Sequence, residues 1–191
     1  TVYTDSIFKC NLRQKSLNFI TDTRVSVPDE LFPGGFDLAF SFYGDETNCE
    51  LTDLQINGPN FEALAKLSYE YKTMKLSGFA ELPTLVLKNN TVLSTEVYFE
   101  PLDPQGFMAF SPQLFFGTKA LTALQLSLFP QSDSYDFAFE AYDYSHQGES
   151  EPGLIQIDGS YLAQSKYIQS NIGLNSLYFD SLAGIADPFT N

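Results

Sequence analysis

The chain has 191 residues, with 24 Asp and Glu against 10 Lys and Arg, for a formal net charge of −14. That balance excludes nucleic acid, because binding a polyanion needs Lys and Arg to replace its counterions. It disfavours anionic membrane surfaces for the same reason. One His and two Cys leave too few ligands for a structural zinc site, which takes four Cys or His.

No window holds 18 consecutive apolar residues, so no transmembrane helix is expected. The chain opens at Thr1 without Met, which fits a removed leader or an excised fragment and suggests an extracellular or cell-surface setting. There Cys10 and Cys49 are expected to be bridged, closing a long loop, with two buried thiols as the alternative.

Period-two alternation dominates the chain in order. Phe36, Leu38, Phe40 and Phe42 alternate with smaller or polar residues, the pattern of a half-buried strand. Asn60 to Leu67 is the best helix candidate, with Asn60 as cap, although it reads equally as the next strand. Leu67, Tyr69 and Tyr71 alternate with Ser68, Glu70 and Lys72. Leu124, Leu126 and Leu128, and then Tyr135, Phe137 and Phe139, repeat the pattern. Asp158-Gly159 is a strong two-residue hairpin signal and Asn89-Asn90 a weaker one. Ten Pro argue against long helices. The expected class is all-β, a jelly-roll or immunoglobulin-like sandwich of short strands.

The halves repeat. Leu31-Phe32-Pro33 matches Leu128-Phe129-Pro130, Phe36 to Phe40 matches Tyr135 to Phe139, and Leu54 to Gly58 matches Ile155 to Gly159. The offset grows from 97 to 99 to 101, as one duplication with two small insertions would leave. A single compact unit of two repeats, 1–99 and 100–191, with pseudo-two-fold similarity is expected. Two separate small domains are the alternative. Charge is uneven: residues 1–96 hold 13 acids and 8 bases, and 97–191 hold 11 acids and 2 bases.

Catalytic signatures are lacking. No phosphate-binding glycine loop and no nucleophile elbow occurs. His146 sits in a polar, turn-like stretch. Glu70, Glu96 and Glu140 are the reasonable carboxylates for a glycosidase pair, which needs ~5–9 Å separation across a cleft. The expectation is a protein without enzymatic activity.

Calcium suits the acidic loops better, since it needs only oxygen ligands. Asp45 and Glu46, with Glu50 and Asp53, form one cluster, and Asp143, Glu149 and Glu151 form its counterpart. Tyr69, Tyr71, Tyr142 and Tyr144 are candidates for a ligand-binding face, because a phenol tolerates a wet surface. Asn89 heads a glycosylation sequon.

Two functions fit. The first is a structural or adhesive protein acting through surface contact or self-association, with itself or another surface protein. The second is a module for a glycan or a small apolar ligand, calcium-assisted, with no other cofactor. The buried Trp with flanking cysteines of immunoglobulin domains is missing. An eight-stranded outer-membrane barrel would suit the alternating aromatics but not the prolines, cysteines and short strands.

Overall fold

A computed structural model describes residues 2–11, 13, 15–25, 35–86, 92–116, 119–143 and 152–175. These form twelve strands: β1 (Val2–Asn11), β2 (Ser16–Val25), β3 (Phe36–Gly44), β4 (Asn48–Asn57), β5 (Phe61–Glu70), β6 (Lys75–Val86), β7 (Val92–Pro101), β8 (Phe107–Phe116), β9 (Lys119–Pro130), β10 (Ser134–Asp143), β11 (Gly153–Leu162) and β12 (Tyr167–Asn175). All lie in one antiparallel sheet whose spatial order is the chain order, β1 to β12.

The all-β class is therefore observed, but the described strands make one sheet instead of the two packed sheets of a sandwich. Alternation reports that one face is apolar; it does not report what covers that face. Each strand pairs with the strand before and after it, and no connection crosses over to build a second layer. Strands are also longer than expected, at 9–12 residues.

The long strands accommodate proline through bulges. Leu82 and Leu85 both fall on the apolar face although they are three apart, because the register shifts between them. Pro83 occupies that bulge. Ser111 and Leu114 flank Pro112 in the same way on β8. A proline inside a strand is tolerated at a bulge, where no ladder hydrogen bond is lost. Bulges also fall between Leu51 and Leu54 of β4 and between Thr122 and Gln125 of β9. At those two, Asp53 and Ala123 adopt positive φ of 54° and 49°.

Turn chemistry differs from expectation at one place. Asp158-Gly159 is not a hairpin turn but the middle of β11, paired to Ala138 and Phe137 on one side and to Asn171 and Ser170 on the other. The glycine is used for close approach: a Cβ there would meet the Phe137 ring at 2.9 Å and run into the Gln169 carbonyl oxygen. Its counterpart Gly58 does end a strand, with its N–H donating to the Phe61 carbonyl at 2.7 Å. The helix candidate at Asn60 to Leu67 is β5. The Asn89-Asn90 turn lies outside the described residues.

The duplicated segments land in β3 with β4 and in β10 with β11. An odd offset of seven strands makes the matching strands run in opposite directions across the sheet. Around residues 100–104 the sheet is continuous, β7 pairing with β8.

Candidate functional site

Partner registers assign the paired strand residues to one of two faces. On one face stand, in a row from β1 to β12, Phe8, Phe19, Phe42, Leu51, Leu67, Gly78, Phe99, Ala109, Leu126, Phe139, Ile157 and Ile172. The next row includes Phe40, Ala65, Ala80, Val97, Leu124, Ala141 and Ile155. This face is mainly apolar from edge to edge, with buried Asp143 at one end of β10. The other face carries the charge: Asp22, Asp37, Glu50, Glu62, Glu81, Glu96, Glu140 and Asp158 all point there.

Polar residues on the apolar face satisfy one another. Buried Thr21 bonds Ser6 at 2.8 Å and Thr23 at 2.6 Å, and buried Ser111 bonds Thr95 at 2.9 Å. Such pairing removes the desolvation penalty an orphan hydroxyl would carry. Aromatic rings add lateral contacts, Phe19 to Phe40 with centroids 5.5 Å apart and Phe99 to Phe107 at 6.2 Å.

Nothing among the described residues lies over this face. The small residues are its most deeply buried apolar positions, Ala141 at 0% exposure and Ala65 at 7%, and no large side chain is fully buried. Towards the sheet margins exposure rises, to 64% for Phe8 on β1 and 65% for Ile172 on β12. Among the described residues both margins are open, since β1 and β12 are the two ends of the strand order.

The sequence-based site residues are not gathered. Cys10 and Cys49 are both free thiols and not a disulfide. Asp45 belongs to the β3–β4 turn, where one carboxylate oxygen accepts from the Thr47 N–H at 2.7 Å, the Thr47 hydroxyl at 2.7 Å and the Asn48 N–H at 3.0 Å. These bonds, the Thr47 hydroxyl first, hold its pKa down to about 2. That oxygen, Oδ1, is engaged in closing the turn. Glu46 pairs instead with Lys15.

Asp143 is buried at the far end of β10, opposite Leu121. Because β3 and β10 run in opposite directions, it lies at the other end of the sheet from Asp45. Its expected companions Glu149 and Glu151 lie outside the described residues, as do His146, Tyr144 and Asn89. Among the described residues no group of three or more His, Cys, Asp or Glu could hold a metal ion.

Tyr69 and Tyr71 do meet, edge to face with centroids 5.8 Å apart. Tyr71 also bonds the Cys49 thiol, which with burial raises the phenol pKa. Tyr142 stands on the opposite face of β10, five strands away, on the order of 24 Å at normal strand spacing. Glu70, Glu96 and Glu140 are likewise spread over β5, β7 and β10.

Of the hollows on the charged face, two lie towards the sheet margins. One, about 360 Å³, lies over β1 to β4 between Ile7, Ile20, Asp22 and Asp53. The other, about 450 Å³, lies over β9 to β12 between Phe129, Asp136, Asp158 and Asn171. In the second, both acids are already engaged: Ser160 donates to Asp136 at 2.6 Å, and Asn171 donates to Asp158 at 3.0 Å. Neither hollow brings a nucleophile, a base and an oxyanion donor together.

The chain matches no protein-family model, no curated protein and no solved structure. Among the described residues, no helix is long and apolar enough to cross a membrane.

The surface that sequence reasoning missed is β12. Tyr167, Ile168, Ile172 and Leu174 are 58–65% exposed. Their signal was present in the spacing of Ile168, Ile172 and Leu174, but polar Gln169, Ser170 and Asn171 between them mask it.

Proposed function

We propose that this is a non-enzymatic contact protein, structural or adhesive in role, whose working surfaces are the apolar face and the open sheet margins. One observation carries the reading: a twelve-stranded sheet is apolar on one face from β1 to β12, with no second layer over it among the described residues. Such a face is typical of a surface that works by being covered, since monomers seldom expose contiguous apolar patches beyond a few hundred Å².

The sandwich expected from sequence belongs to the same reading. A second sheet packed about 10 Å away would complete the core. It would come from another molecule, in self-association or with a partner at the cell surface. The two-repeat organisation is supported by sequence order alone.

A second reading, a site for a small apolar ligand, is favoured by the aliphatic and Phe side chains that dominate the face. A glycan site has no such support, because the tyrosines do not converge. Sedimentation over a concentration series, with an apolar fluorescent dye as reporter, tests the primary reading. Mass should rise with concentration and dye emission should fall as copies cover one another. Leu126→Lys, on the apolar face and 38% exposed, should weaken both. A strict monomer that binds no dye would remove the reading.

A further inference from the structure

We propose that copies of this chain join head to tail, β12 of one pairing antiparallel with β1 of the next, with Phe8 opposite Ile172. The proposal rests on the self-association reading above and specifies its joint.

Edge strands are templates for further pairing, and proteins guard them with Lys, Pro, charged side chains or bulges. From Tyr167 to Leu174, β12 contains no acid, no base and no Pro. Its register with β11 runs without a shift from Leu154 to Leu162. It is therefore a straight, uncharged edge that offers a regular ladder. By contrast, six of the eleven strand pairs inside the sheet carry a register shift.

Direction and face select the occupant. In a meander of twelve strands, the first strand of another copy, placed beyond β12 with its sheet in line, runs antiparallel to it. The meander then continues as though β1 were a thirteenth strand. Side-chain alternation must also keep both apolar faces on one side, since a one-residue slip exchanges them. Carrying the rows straight across the joint puts Phe8 opposite Ile172 and Cys10 opposite Ser170. Phe8 and Ile172 are the most exposed large apolar side chains described on their strands, at 64% and 65%.

Charge follows the same arrangement. In this register Lys9 lies opposite Asn171, whose amide donates to Asp158 at 3.0 Å. A base from the lysine-bearing half thus comes to rest beside an acid of the base-poor half. Lys9 disfavours indiscriminate pairing of β1 and is compensated in this one. Such a joint leaves a free β1 at one end and a free β12 at the other, so it propagates in a line without closing.

Two single-cysteine proteins test the register. One is Cys49→Ser, which keeps Cys10; the other is Cys10→Ser, Cys49→Ser, Ser170→Cys. Paired strands bring opposite Cα atoms to about 4.5–5.5 Å, within disulfide range. Mixed and oxidised, they should give the mixed dimer as the main product. Replacing Ser170→Cys by Gln169→Cys, which faces the other side, should lose it. Ile172→Lys, at a 65% exposed position of the edge strand, should lose the higher-mass species of the full chain while circular dichroism is retained. A mixed dimer no more abundant with Ser170→Cys than with Gln169→Cys overturns the joint. If the chain still associates, only the joint fails and association through the apolar face stands; a strict monomer removes both.

Discussion

Cys10 and Cys49 stand in one row of the apolar face with Leu17 and Gly44 between them. Three strand spacings separate them, about 14 Å, whereas a disulfide needs Cα atoms within about 7 Å. Bridging them would require β2 and β3 to leave the sheet. The thermal midpoint should therefore be the same with and without reductant, and the intact mass should show two free thiols. Exposed Cys10 should react with an alkylating reagent well before half-buried Cys49.

Asp45 makes the β3–β4 turn pH-dependent. Its pKa is lowered to about 2 in the folded chain, first by the Thr47 hydroxyl and then by the Asn48 and Thr47 N–H groups. The unfolded value is near 3.9. A depressed folded pKa contributes stability that is fully present above the unfolded value and is lost as pH falls through the folded one. Asp45→Ala should lower the melting temperature at pH 7. Its deficit against the wild type should shrink between about pH 4 and pH 2. A deficit independent of pH over that window would show that the ionised carboxylate is not what closes the turn.

Alternation in the sequence made the strands legible because it is a property of neighbouring residues. Phe36 to Phe42 and Tyr135 to Phe139 lie where the pattern places them, in β3 and β10. The bulges were not legible as such, since Leu82-Pro83-Thr84-Leu85 reads locally as an interruption and only the partner strand shows that both leucines share a face. Asp158-Gly159 was misread for a related reason. Gly is favoured both at a turn and beneath an aromatic ring, and only the Phe137 contact distinguishes them. The placement of the two acidic loops was not legible either: sequence matched the Asp45 and Asp143 loops, and antiparallel order sends them to opposite ends of the sheet.

Gly106 follows β7 in a turn that two other contacts pin. Its N–H donates to the Thr73 carbonyl at 2.9 Å, and its carbonyl accepts from the Leu102 N–H at 3.0 Å. Its φ is +98°, and a Cβ there would run into the Leu128 carbonyl oxygen. Gly106→Ala should therefore destabilise by more than about 1 kcal/mol, since the native backbone is one that Ala does not adopt without strain. Urea unfolding measures it. A change near zero would mean that the turn relaxes without disturbing β9.

Gly159 and Ala141 give the sharpest test of how tightly the apolar face is packed without a second layer. Ala141 is 0% exposed, between Leu124 and Ile155 on neighbouring strands. Ala141→Leu should cost about 1–3 kcal/mol, the usual range for overpacking a filled site. Were the face loose, the added side chain would bury apolar area and stabilise instead. Gly159→Ala meets the Phe137 ring and the Gln169 backbone of β12. It should therefore loosen β12 selectively, and hydrogen exchange should accelerate from Tyr167 to Leu174 while β3 and β4 remain protected. Uniform acceleration across all strands would show instead that the sheet opens as one cooperative unit.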